Sequence, residues 1–238
     1  MQSLQILYED KNLVIINKPA GLVVHTDGRT KEESVIDWVA QKYPENKDVG
    51  EPLKIVTGEV IKRYGIVHRI DRETSGVLVI AKNQETYEHL KKQFLDRTIE
   101  KFYHAVVYGE MRYDEGLINL PIGRHKSDFR KWTADDNTRG IVKEALTYYK
   151  VLARKDKMSL VEVNPQTGRT HQIRVHLNAV GHPIVGDKLY APTKKALDGI
   201  DRLALHSYSI ELETLEGKVL KIKAPYPEDF AQAVENFK

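Results

Sequence analysis

The sequence predicts one domain of mixed α and β structure, and three observations predict it. Apolar residues recur in short strand-length segments along the whole 238-residue chain, only a few stretches show helical spacing, and no repeat, low-complexity tract or Ser/Gly linker divides it. The length suits one mixed domain, or two lobes sharing a sheet, so residues 1–238 are read as a single domain. Charged residues make up 30% and hydrophobic ones 41%, which places the chain among globular proteins and away from disordered or membrane classes.

The alternation in LQILYED and the run LVIINK, separated by turn residues, predict an opening strand pair. KPAG, Lys18 to Gly21, enforces a turn. Val35, Ile36, Val39 and Tyr43 fall at helical spacing after Ser34, a capping residue, and before Pro44, a stop. From Pro44 to Tyr64 the composition is polar, predicting a long connection that is either functional or mobile. Tyr87, Leu90, Lys91 and Phe94 mark an amphipathic helix over Gln84 to Arg97. FYHAVVYG, ALTYYKVLAR and MSLVEVNP read as strands, the last two as a hairpin around Arg154 to Lys157. In THQIRVHLNAV, Ile173, Leu177 and Val180 share one helical stripe, while His171, Arg174 and Asn178 share the opposite one. LALHSYSIEL and KVLKIKAP predict closing strands.

The longest purely apolar run is Val77 to Ala81, and the N-terminus lacks a basic-then-apolar signal layout. Both predict a cytoplasmic protein that does not enter a membrane. Cysteine is absent, which removes disulfides, thiolate nucleophiles and cysteine metal sites together. A net charge of +3 is too small to demonstrate a polyanionic partner. Its distribution says more: in the loop-like segment Ile122 to Lys143, Phe129 and Trp132 sit among Arg124, Lys126, Arg130 and Lys131. Interleaved cations and aromatics suit phosphate neutralisation with base stacking. They equally suit a solvated loop whose two aromatics tuck onto the core.

The stretch GIVHRIDRETSGVLVIA, Gly65 to Ala81, places Asp71 between two arginines, close to His68, just before a buried strand. Lost hydration raises the pKa of such an acid and nearby guanidinium groups lower it, so the site keeps a carboxylate charged in a dry place. A structural ion pair and a catalytic nucleophile or base both fit. Thr74, Ser75 and Gly76 add hydroxyls and close backbone approach. A metal centre is not expected: there is no HExxH, and His171 and His176 point in different directions on a helix. Neither a Gly-x-Ser-x-Gly elbow nor a Gly-rich nucleotide loop occurs. Thr167-Gly168 before Arg169 reads as a turn into a helix N-terminus, able to receive a phosphate or simply capped.

Together, KPAG at Lys18, HRIDRETSG at His68, KFYHA at Lys101 and GRTHQIRVHL at Gly168 resemble, in order, the motifs of the RluA-type RNA pseudouridine synthases. The likeness runs from about Leu7 to Pro225. Ile70 replaces the usual Leu and Tyr64 a common Pro, neither of which touches the chemistry. The chain is expected to be the catalytic domain alone, without the N-terminal S4 RNA-binding module of many relatives.

The resemblance implies an α+β fold, the pseudouridine synthase fold, with a mixed, mostly antiparallel central sheet flanked by helices and loops. It implies isomerisation of specific uridines in structured rRNA or tRNA, with no cofactor and no metal, by a protein expected to be monomeric. Asp71 would be the nucleophile or base that promotes glycosidic cleavage in a flipped-out uridine, Arg174 would pair with Asp71, and Tyr103 would stack on the uracil. Arg69 would fill the space of the extruded base or contact phosphate. His68, Thr74, Ser75 and Gly76 around the acid are expected to contact the substrate, as are Lys18, Arg169, Thr170, His171 and Gln172, with Arg130 and Lys131 on the basic segment. The alternatives are a catalytically inactive RNA-binding or RNA-chaperone protein of the same fold, and a metal-dependent nuclease.

Overall fold

In a computed structural model, which describes residues 3–25, 32–54, 60–194, 197 and 199–237, the chain groups into two units. Residues 1–100 and 207–225 form the first, 101–206 and 226–238 the second. The first opens with β1 (Gln5–Glu9) and β2 (Leu13–Lys18), which pair antiparallel. The Asp10 carboxylate fixes the turn between them by accepting the N–H groups of Asn12 and Leu13 at 2.7 and 2.8 Å. Helix α1 (Val35–Lys42) begins in a capping box, Ser34 and Asp37 each bonding the other's backbone N–H.

A short 3-10 helix at Pro44–Asp48 follows, then β3 (Leu53–Lys54) and β4 (Val60–Ile61), which pair with each other. The expected long connection from Pro44 to Tyr64 thus carries structure of its own, although its residues 55–59 lie outside the described ones. Strand β5 (Ser75–Ala81) is buried at every position and pairs antiparallel with β2. Helix α2 (Gln84–Asp96) starts at Asn83, whose side chain caps Thr86 N–H, and ends at Arg97 in a left-handed conformation. Ile15, Val77, Val79, Tyr87 and Leu90 belong to the core between this sheet and α2.

The second unit takes up β6 (Glu100–Tyr108), β7 (Glu115–Asn119), β8 (Ile122–His125), β9 (Trp132–Thr133), β10 (Thr138–Lys143), β11 (Leu146–Lys155) and β12 (Met158–Pro165). Strands β6, β12, β11 and β7 lie side by side in that order, all antiparallel. The hairpin from β11 to β12 turns at Asp156 and Lys157, both with positive φ, as a two-residue turn matched to strand twist requires. Helix α3 (Gln172–Ala179) follows. The chain then returns to the first unit as β13 (Leu205–Glu213), beside β5, and β14 (Val219–Lys223), paired with β13. It ends in the second unit with α4 (Glu228–Glu235), held by the bidentate pair of Asp229 with Arg202.

The sheet is mostly antiparallel and the fold α+β, as expected. Two expectations change. The basic segment from Ile122 to Lys143 is not a loop: β10, β8 and β9 form a three-stranded antiparallel sheet. Its strands are too short and too polar to show alternation. In α3, Val180 lies beyond the last turn and is exposed, while Val175 and His176 are buried. His176 bonds Thr147 Oγ1 at 2.8 Å and Leu120 O at 2.9 Å, so its ring serves as a polar joint inside the core.

Candidate active site

Asp71 lies on the loop between Gly65 and β5, partly buried. The loop is held mainly through its backbone. Arg72 O accepts from Gly21 N–H at 2.9 Å and from Lys18 Nζ at 3.0 Å, while Asp71 O accepts from Thr74 N–H at 3.2 Å. Both loop ends require glycine: at Gly65 (φ +83°) a Cβ would stand 1.9 Å from Ala81 O, and at Gly76 (φ +111°) 2.2 Å from Ser207 O. The sequence GIVHRIDRETSG therefore encodes a loop pinned at both ends, with its acid between the pins.

Several residues expected to touch substrate also take part in this support. Lys18 is fully buried, and its ammonium donates to the carbonyls of Pro19, Leu22 and Arg72 at 2.8, 2.7 and 3.0 Å. It fastens the KPAG turn to the Asp71 loop. His68 accepts the Val79 N–H at Nε2, 2.9 Å, and stacks on Phe94 at 4.9 Å. Thr74, Ser75 and Gly76 are buried where β5 begins. Exchanging Lys18 for Met removes a charged donor from three partly buried bonds, and is expected to lower unfolding stability by about 2 kcal/mol. Denaturant titration of both proteins measures it.

In the second unit Tyr103 sits on β6 opposite Val163 of β12, 9% exposed. Arg174, on α3, makes a two-pronged pair with Asp187: Nε to Oδ2 at 2.8 Å and Nη2 to Oδ1 at 2.9 Å. The Asp187 side chain has no exposed surface, and its Oδ1 also accepts the N–H groups of Leu189 and Tyr190 at 3.0 Å each. Burial pushes this carboxyl up, but the Arg174 bonds and charge and the two backbone bonds outweigh it, so its pKa lies below the ordinary value. The Arg174 guanidinium lies 5.0 Å from the centre of the Tyr190 ring. The Tyr190 hydroxyl accepts Trp132 N–H at 3.0 Å and bonds His171 Nδ1 at 3.0 Å.

His171 precedes α3 with φ +55°, a strained conformation for a residue with a side chain. Gln172 follows as the first residue of α3. It is buried and its amide is occupied on both sides, accepting from Thr167 Oγ1 and Arg169 N–H and donating to Leu146 O and Thr147 Oγ1. Thr170 is exposed, and Arg169 is partly exposed with Nε on Glu144 O. Nothing in the sequence singles out Asp187 or Tyr190. Gly-Asp at 186–187 signals only a turn, and a turn aspartate says nothing of a distant arginine.

On the three-stranded sheet, Arg124 lies 4.6 Å over the Trp132 ring and bonds Phe129 O. Trp132 packs against the buried Ile122, Ala145 and Val175, whereas Phe129 is 72% exposed. The two readings of this segment thus divide between its two aromatics. Arg130 forks onto Asp128 at 3.0 and 2.9 Å, and the Lys131 N–H donates to Asp128 O at 3.0 Å. Among the described residues no three His, Asp or Glu side chains cluster as a metal site, and no helix is long and apolar enough to cross a membrane.

The sequence profile of RNA pseudouridylate synthases matches residues 12–179. The chain belongs to that family. RNA pseudouridine synthases are isomerases, and the matched span holds Asp71, Tyr103 and Arg174 alike. An uncharacterised RNA pseudouridine synthase of Bacillus subtilis is 37% identical over 99% of this chain and 73% of its own length. The ribosomal large subunit pseudouridine synthase D of Nitrosomonas europaea is also 37% identical, over 98% of this chain, which spans 66% of that relative. Among solved structures, human RNA pseudouridylate synthase domain containing 4 superposes with a TM-score of 0.74 at 26% identity, covering 98% of this chain and 92% of its own.

Proposed function

We propose that this pseudouridine synthase isomerises uridine in structured RNA, with Asp71 as nucleophile or base and Tyr103 and Arg174 in the roles the family resemblance gives them. In that reaction the bond from N1 to C1′ breaks, the uracil turns, and a bond from C5 to C1′ forms. C5 releases a proton and N1 takes one up, so no redox partner or group donor is consumed. The reading rests on one observation above all: a carboxylate within the matched span, on a loop whose shape is set by backbone bonds and two obligatory glycines. Such a loop fixes the stretch of backbone on which the acid stands. Large-subunit ribosomal RNA is the first substrate to try, since a relative bears that name; transfer RNA is the second.

The test incubates purified protein with transcribed large-subunit RNA and with pooled transfer RNA, then maps pseudouridine by selective chemical labelling. Labelled positions in strands of unchanged length are expected. Binding without label would favour the RNA-chaperone reading, and shortening that stops with a chelator would favour a nuclease.

The three-stranded sheet supplies a second measurement. Because Asp128 already neutralises Arg130, Lys131→Ala is expected to flatten the salt dependence of RNA affinity more than Arg130→Ala does. For Lys131 the slope is expected to fall by about 0.7–0.9, the value of one phosphate contact. An unchanged slope in both variants would place this sheet away from the RNA.

A further inference from the structure

Arg69 and Arg72 leave the same loop and are held in electrostatically opposite ways. Arg72 Nη2 donates to Glu32 Oε1 at 2.6 Å, and that carboxylate cancels its charge. Arg69 is exposed, and its Nη1 lies 3.0 Å from His25 Nε2. A guanidinium offers only donors, so Nε2 is the unprotonated nitrogen of a neutral imidazole and the ring proton sits on Nδ1. Burial first, then the charges of Arg69 and Arg63, hold the His25 pKa down at about 4, so the ring stays neutral wherever the enzyme works.

We propose that His25 is a positioning residue for Arg69, fixing the direction of its guanidinium while leaving the charge uncancelled for the RNA strand that gives up the uridine. A carboxylate in its place would orient the arginine equally well but yield a neutral pair, as Glu32 does with Arg72. No partner at all would leave a long exposed side chain to search many rotamers before each encounter. A neutral acceptor gives order without neutralisation. The proposal rests on reading the Asp71 loop as the RNA-modifying loop and on the role at base extrusion that the family resemblance gives Arg69; what it adds is the part of His25.

Two RNA substrates and three variants test it. In one RNA the target uridine is paired inside a stem; in the other it is bulged, so extrusion costs less. His25→Leu is expected to lower kcat/KM on the stem about tenfold, the scale of a lost hydrogen bond to a charged group. On the bulge the loss is expected to stay below about threefold. His25→Gln, which keeps a neutral acceptor, is expected to recover most of the loss. His25→Glu is expected to weaken RNA binding and flatten its salt slope by about 0.7–0.9. Equal losses on stem and bulge would mark a merely structural histidine and overturn the proposal. So would a Leu variant without effect, a Gln variant no better than Leu, or a Glu variant with the parent's salt slope. Parent protein that makes no pseudouridine in either RNA overturns the reading of the site instead, which separates the two failures.

Discussion

Asp71→Asn is expected to bind RNA and to fold as the parent does, yet to form pseudouridine at least about a thousandfold more slowly. The amide matches the carboxylate in size but carries neither its charge nor its nucleophilicity. The loop's backbone bonds survive the exchange, because the carbonyls of Asp71 and Arg72 are bonded by Thr74, Gly21 and Lys18. Gly65 and Gly76 fix its ends against backbone that leaves no room for a Cβ. A gel-shift titration with the labelling assay separates binding from turnover. Residual product near the parent level would remove Asp71 from its assigned role.

The second large effect is expected at Asp187, where replacement by Ala should cost about 3–5 kcal/mol of unfolding stability, the range for breaking one side of a buried ion pair. The whole carboxylate is withdrawn from solvent, accepts two guanidinium bonds, and bonds the two N–H groups that shape the turn after it. Its folded pKa is depressed. The unfolded chain therefore takes up this proton at higher pH than the folded one, and the stabilisation is complete above the unfolded value near 4. It is lost as pH falls through the folded value, so the parent should lose more stability on acidification than Asp187→Asn. Denaturant midpoints at pH 7 and pH 3 test this, and parallel acid dependence in both proteins would contradict it.

Much of the fold was legible because its strands either alternate or run apolar. GVLVIA needed only its unbroken apolar character to be read as the buried β5, and Ser34 marked the start of α1. Lys18 and Gln172 carry bonds that the sequence does not announce. A polar residue inside a motif reads as a ligand for substrate, and nothing local in the sequence reports the backbone groups it also bonds. The α3 stripe was also read one residue too far at each end, because His171 turns left-handed before the helix and Val180 lies past its last turn. Asp187 and His25 stayed hidden because each matters through a partner 13 or 44 residues away in sequence. No local period reports such distances.

The first unit is discontinuous in sequence, since residues 101–206 intervene between its two parts. Strand β13, which lies beside β5, is therefore synthesised more than a hundred residues after β2, the other neighbour of β5. On the ribosome the loop bearing Asp71 emerges well before one flank of the strand that supports it, and its supporting sheet is completed only when nearly the whole chain is available. Translation thus delays assembly of the acid's scaffold until the intervening residues have been made, so a nascent chain released early carries the acid without its finished support.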